Sequence, residues 1–213
     1  MSVLRARSTK TSIKTANQPK KITIFTVPEG HLSIAKAAEE ALLDAGYTVE
    51  LCYFEPDVFK MYVPFYRFMP ALFRVPFEAS KQQKTVALAK KHFKKQYFDI
   101  VKERLDQDQP DVAISTSFLL NPALTELLSP KRHSQQHPQQ QQPQQQPPLI
   151  NIIADPRSIH PILLEEKALT NLVFDDTAHA ICQNMNGQAN CTTAGWLVQK
   201  KYQPARSKSE ISK

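Results

Sequence analysis

The stretch ITIFTVPEGHLSIAKAAEEALLDAGYTVELCYF, residues 22–54, decides the fold. Its opening run, Ile22 to Val27, is rich in β-formers, too short for a helix, and bounded by Pro28 and Gly30. Apolar residues then return at helical spacing, at Ile34, Ala37, Ala38, Ala41, Leu42 and Ala45, and Gly46 stands where a helix C-cap glycine belongs. Tyr47 to Phe54 reverts to strand character. Strand, helix and strand with short connections make a βαβ unit, which favours parallel pairing and a right-handed crossover.

Working outward, the rhythm recurs. Residues 81–107 read as a long helix with an apolar line through Val86, Ala89, Phe93, Tyr97, Ile100 and Leu105. Pro110 precedes a strand at Asp111–Ser115, and a short helix follows near Pro122–Leu128. Leu149–Ala154 is almost wholly apolar, as a strand covered on both faces should be. Asn171–Phe174 and Cys191–Ala194 supply a fifth and a sixth strand. The expected fold is α/β, a Rossmann-like three-layer domain on a mostly parallel sheet, over residues 21–198. Nine of the residues from Gln135 to Gln146 are glutamine, so 129–148 is expected as a disordered Gln/Pro-rich insertion.

The net charge of +7 is unevenly placed. Residues 1–21 hold six Lys or Arg and no acid, and residues 199–213 hold five against Glu210 alone, which leaves 22–198 near −3. Segments 1–20 and 199–213 read as basic tails, solvated or, for the first, drawn to an anionic membrane surface. A body of that charge is no evidence for nucleic-acid binding, which would place basic groups on a folded face. No apolar run of about 20 residues exists to span a bilayer, and no signal peptide is visible. Cys52, Cys182 and Cys191 show no metal-ligand spacing and read as reduced thiols, which points to the cytoplasm.

Chemistry has three places to sit. His31 follows Gly30 at the carboxyl end of the first strand, where open parallel sheets collect ligands; it serves there as a general base or simply as a polar turn residue. Asp155 falls just beyond the strand at 149–154, on the same rim, as a functional carboxylate or a helix cap, with His160 close behind. Val58–Phe77 carries Phe59, Tyr62, Phe65, Tyr66, Phe68, Phe73 and Phe77 among Lys60, Arg67 and Arg74, with no acid between Asp57 and Glu78. Aromatic anchors interleaved with cations suit a bilayer headgroup boundary, and the alternative is a core-packing segment. Six lysines between Ala79 and Phe98 extend the basic character, as a lipid-facing or a merely solvated face.

With Pro28-Glu-Gly-His31, Gln109-Pro-Asp-Val-Ala-Ile-Ser-Thr116, Asp155 with His160-Pro161, and Gly195-Trp-Leu-Val198, residues 21–205 resemble the N-terminal domain of the monogalactosyldiacylglycerol synthase and diacylglycerol glucosyltransferase family, which has the GT-B fold. The resemblance implies an acceptor-lipid-binding half of an inverting, metal-independent glycolipid glycosyltransferase. The partners it implies are a diacylglycerol-type lipid and the cytoplasmic face of an anionic membrane. It makes His31 and Asp155 catalytic. Gly30, Ser117, His160, Phe65, Tyr66 and Phe68 become acceptor-binding, while Phe59, Tyr62, Arg67, Phe73 and Arg74 contact the membrane. No metal or resident cofactor is implied. The co-substrate is a sugar nucleotide such as a UDP-hexose, bound by a domain absent from this sequence, in a split or truncated enzyme.

Two departures from the family pattern stand out: Val27-Pro28-Glu29 replaces a run of glycines, and Ala154 replaces a threonine before the aspartate. A non-catalytic membrane-surface module is the alternative reading. An unrelated nucleotide binder is disfavoured because no Gly-x-Gly-x-x-Gly follows the first strand.

Overall fold

The computed structural model describes residues 20–55, 80–129, 146–155, 159–187 and 189–202. Phe59, Tyr62, Phe65, Tyr66, Arg67, Phe68, Phe73 and Arg74 lie outside the described residues, as do most of the Gln/Pro-rich insertion and of the two tails.

Among the described residues six strands form one sheet: β1 (Lys21–Thr26), β2 (Thr48–Tyr53), β3 (Val112–Ser115), β4 (Leu149–Ile152), β5 (Thr170–Val173) and β6 (Cys191–Thr193). Their order is β2-β1-β3-β4-β5-β6, and every pairing is parallel. Among the described residues four α-helices connect them: α1 (Gly30–Asp44), α2 (Gln83–Asp108), α3 (Asn121–Leu128) and α4 (Asp176–Met185). The architecture is the expected Rossmann-like α/β one.

Helix α1 stops as its sequence dictates. Gly46 adopts φ +85, and the chain closes with Tyr47 N donating to Leu42 O and Gly46 N to Leu43 O, a Schellman turn that needs a residue tolerant of the left-handed region. Helix α4 was not among the expected elements. Its signals are present in the sequence: Asp175 accepts from Ala178 N as an N-cap, and Ala178, Ile181, Cys182 and Met185 fall at helical spacing.

The faces are unequally covered. Ile22, Ile24, Ile114 and Ile152 pack against Ala35 and Ala38 of α1. On the other face, Phe25, Cys52, Ala113 and Leu149 pack with Tyr97 and Val101 of α2 and Ala123 and Leu124 of α3. Helix α4 covers Val173 and Cys191 through Ala178 and Cys182. Since crossovers are right-handed, stepping from β1 to β2 and stepping through β3 to β6 put helices on opposite faces. Among the described residues, the first face receives beyond α1 the returning segment at Leu197.

The core line of α2 departs from the expected one in one respect. Ile100 is half exposed, whereas Val101 is fully buried, so the inward residues run Phe93, Tyr97, Val101, Leu105 at four-residue steps. The domain also continues past residue 198. Gln199 is buried and donates through Nε2 to Ser33 O at 3.1 Å, and Lys200 pairs with Asp44 at 2.6 Å. All three cysteines are free and buried. Arg104 Nε lies 2.7 Å from Cys52 Sγ and 3.0 Å from Asp108 Oδ2. Burial pushes the Cys52 thiol up to about 12, which makes it inert packing rather than a nucleophile.

Candidate functional site

Strand order reverses between β1 and β3, so the loops after these two strands flank a crevice at the carboxyl edge of the sheet. Both loops carry hydroxyls at their roots. Thr26, the last residue of β1, and Thr116, the first after β3, are buried, and Thr116 Oγ1 donates to Thr26 Oγ1 at 2.8 Å.

The turn from β1 into α1 is strained. Glu29 sits at φ 66, ψ −134, a conformation suited to glycine and costing an ordinary residue about 1–3 kcal/mol. Its carbonyl accepts from Leu32 N and Ser33 N and so starts the helix, but its exposed side chain makes no capping bond. A Cβ on neighbouring Gly30 would meet nothing within 4 Å, so the crevice is roomy there.

His31 occupies the first turn of α1, and its Nδ1 bonds the carbonyl of Thr116. A carbonyl only accepts, so Nδ1 carries the proton and Nε2 keeps its lone pair. The ring lies 6.4 Å from Phe118, which meets Phe93 edge-on at 5.9 Å. Burial among these groups holds the imidazole below its ordinary pKa, opposed by the Thr116 carbonyl and by the negative charge of Asp155. That charge marks Asp155 as the electrostatic neighbour of His31. It reaches the rim from beyond β4, half-buried behind Ile153 and Ala154. The sequence reading brought these two groups to one edge, and the fold does so.

Ser117 is next to the carbonyl that holds the ring. It is fully buried, its N–H donates to Ser115 Oγ at 3.2 Å, and its own Oγ has no partner among the described residues. His160 is built differently. Its Nδ1 accepts from Ile162 N at 3.1 Å, so the ring proton is on Nε2, which donates to Ser80 Oγ at 2.9 Å. This buried ring pins the β4–β5 connection to Ser80, just ahead of α2, and has no nitrogen left for proton transfer in its neutral state.

A row of buried amides, not anticipated from sequence, crosses the sheet beside these residues. Asn121 Nδ2 donates to Asn151 Oδ1 at 2.9 Å, and Asn151 Nδ2 donates to Asn171 Oδ1 at 2.7 Å and to Leu163 O at 2.8 Å. Asn171 is fixed in turn by Glu165 N and Glu165 O, both at 3.0 Å. The signal was legible in principle: asparagine in the middle of an apolar buried strand requires partners.

The lysines of α2 divide. Lys90 donates to Leu164 O at 2.7 Å and reaches buried Glu165, and Lys94 pairs with Glu126 at 3.7 Å. Lys84, Lys91 and Lys95 remain exposed, on one helical stripe with Leu88, itself 68% exposed. Among the described residues no three His, Cys, Asp or Glu side chains form a group fit for a metal ion. Among the same residues no helix is long and apolar enough to cross a membrane. Neither a scan against protein-family models nor a search of curated proteins finds a match to this chain.

Proposed function

We propose that this chain is the acceptor-binding half of a glycosyltransferase that moves a hexose from a sugar nucleotide to the hydroxyl of a diacylglycerol-type lipid. One observation carries the reading: at the strand-order reversal, His31 is held through Nδ1 with Nε2 left as a hydrogen-bond acceptor. The likeness of residues 28–31, 109–116, 155–161 and 195–198 to the monogalactosyldiacylglycerol synthase family supplies the reaction class.

In this reading Nε2 takes the proton of the acceptor hydroxyl as its oxygen attacks the anomeric carbon. The bond from that carbon to the nucleoside diphosphate breaks, and the leaving group departs with the electron pair. The depressed basicity of His31 suits the task, because a ring that is neutral at pH 7 is ready to accept a proton. The imidazolium so formed faces the Thr116 carbonyl and the Asp155 charge, both of which stabilise it. The sugar nucleotide is assigned to a separate donor-binding domain or subunit.

The exposed stripe of Lys84, Leu88, Lys91 and Lys95 supports a peripheral position on an anionic membrane, where each lysine adds about 1 kcal/mol at low salt. The same stripe is what favours the second reading, a membrane-surface module without catalysis. Titration of a short-chain diacylglycerol into the protein with ¹⁵N-labelled histidine tests the first reading. It predicts a saturable change at His31 Nε2 and none at His160; an unmoved His31 signal removes it. Radiolabelled hexose transfer to diacylglycerol in the presence of a donor-domain partner, lost in His31→Ala, separates the enzyme from the module.

A further inference from the structure

We infer that Thr116 and Thr26 are positioning residues for His31: their paired hydroxyls fix the carbonyl that dictates the ring's tautomer and leaves Nε2 as its only acceptor. Thr116 meets the β1 side of the crevice through three groups. Its N–H donates to Phe25 O at 3.1 Å, which continues the β1–β3 ladder one step past the strand end. Its carbonyl receives the His31 ring. Its hydroxyl has one proton, given to Thr26 Oγ1 at 2.8 Å, while Thr26 passes its own proton to Val27 O at 3.3 Å. The Thr116 hydroxyl also lies 3.4 Å from the carbonyl of His31 itself.

Both threonines are essentially without solvent contact, at 0% and 2% exposure, so these bonds have no water to compete with them. A backbone carbonyl ordinarily has freedom to tilt; this one is held from the amide side by Phe25 and from the side chain by Thr26. The ring is clamped between that carbonyl and Phe118. A displacement of about 1 Å at a catalytic group is enough to cost ~100-fold in rate, which is why a reacting imidazole needs such a seat. Serine at 116 retains the hydroxyl, whereas valine keeps the branched shape and loses only the hydrogen bond.

The inference rests on His31 being the residue of interest, but its test reads the ring and needs neither lipid nor sugar nucleotide. Ring ¹⁵N shifts of His31 are followed against pH in the wild type and in Thr116→Val, Thr26→Val and Thr116→Ser. In the wild type Nδ1 is protonated and Nε2 is not, and the titration midpoint lies below 6.5, the ordinary histidine value. In Thr116→Val and Thr26→Val the Nε2–H tautomer gains population and the midpoint falls further below 6.5, because the carbonyl bond that opposes the effect of burial is weakened, while Thr116→Ser restores both. A purely structural role lowers Tm and leaves tautomer and midpoint untouched, and that result overturns the inference. So does a wild-type ring protonated on Nε2, a measurement that decides the matter even if the valine variants do not fold. Absence of glycosyl transfer leaves these results standing, and their failure leaves the transfer assay standing.

Discussion

His31, in the first turn of α1, and His160, in the β4–β5 connection, stand on the carboxyl side of the same sheet, yet one keeps a nitrogen open and the other commits both. What differs is the backbone group offered to Nδ1. A carbonyl, Thr116 O, forces a proton onto Nδ1 of His31; an amide, Ile162 N–H, forces a lone pair onto Nδ1 of His160. The surroundings match. The connection between β4 and β5 is tied down by Asn151 to Leu163 O, by Asn171 to Glu165 and by Lys90 to Leu164 O. The turn between β1 and α1 is roomy at Gly30 and strained at Glu29. A histidine in the first kind of region is a fastener, and one in the second kind is available for chemistry.

The pinned region gives the largest effect. Asn151→Leu leaves the Asn121 amide and the Leu163 carbonyl buried and unpaired, a loss of about 3 kcal/mol. At about 2–4 °C per kcal/mol for a domain of this size, Tm falls by roughly 6–12 °C. A calorimetric scan showing less than half of that would mean the amide row is better hydrated than its burial indicates.

Next comes the contrast between the rings. His160→Ala strips partners from Ile162 N and Ser80 Oγ and costs about 2 kcal/mol, whereas His31→Ala costs about 1 kcal/mol. Urea midpoints of the two variants in the opposite order would reverse the roles assigned to them.

At the strained turn the sign changes. Glu29→Gly relieves about 1–3 kcal/mol of backbone strain against about 0.5–1 kcal/mol of added chain entropy, so its denaturation midpoint rises. A lowered midpoint would show that the carboxylate earns its place through contacts of its own.

The smallest effect is a pH dependence. The folded His31 ring resists protonation, so below its ordinary pKa of 6.5 the unfolded chain takes up a proton that the folded chain refuses. Its contribution is therefore fully present above 6.5 and is lost as the pH falls from there towards the depressed folded value. Stability measured at pH 7.5 and 5.5 should fall less in His31→Gln than in the wild type, and equal falls would place the ring in a solvated setting.

How much of this was legible follows from the range of the signals. The βαβ unit at 22–54 announces itself because its periodicity is local, and the six strands follow from short apolar runs set off by prolines and polar turns. The rim shared by His31 and Asp155 was legible because both follow strands of one parallel sheet. Their partners were not. Thr116 lies 85 positions from His31, and nothing in either neighbourhood specifies that a carbonyl will meet Nδ1. The lysine run misled in the same way: Lys90 looks like its solvated neighbours until Glu165, 75 positions on, comes within 3.4 Å. The inward line of α2 was misjudged at Ile100 because adjacent apolar residues, Ile100 and Val101, compete for one face, and packing alone decides between them.

The contact of Gln199 with Ser33 spans 166 positions, and Lys200 fastens the same strap to Glu40 and Asp44. The last described stretch is thereby buckled onto the first helix, over the sheet face that this helix covers. This buckle couples the two margins of the sheet: neither β6 nor the first βαβ unit can peel away while the strap remains fastened.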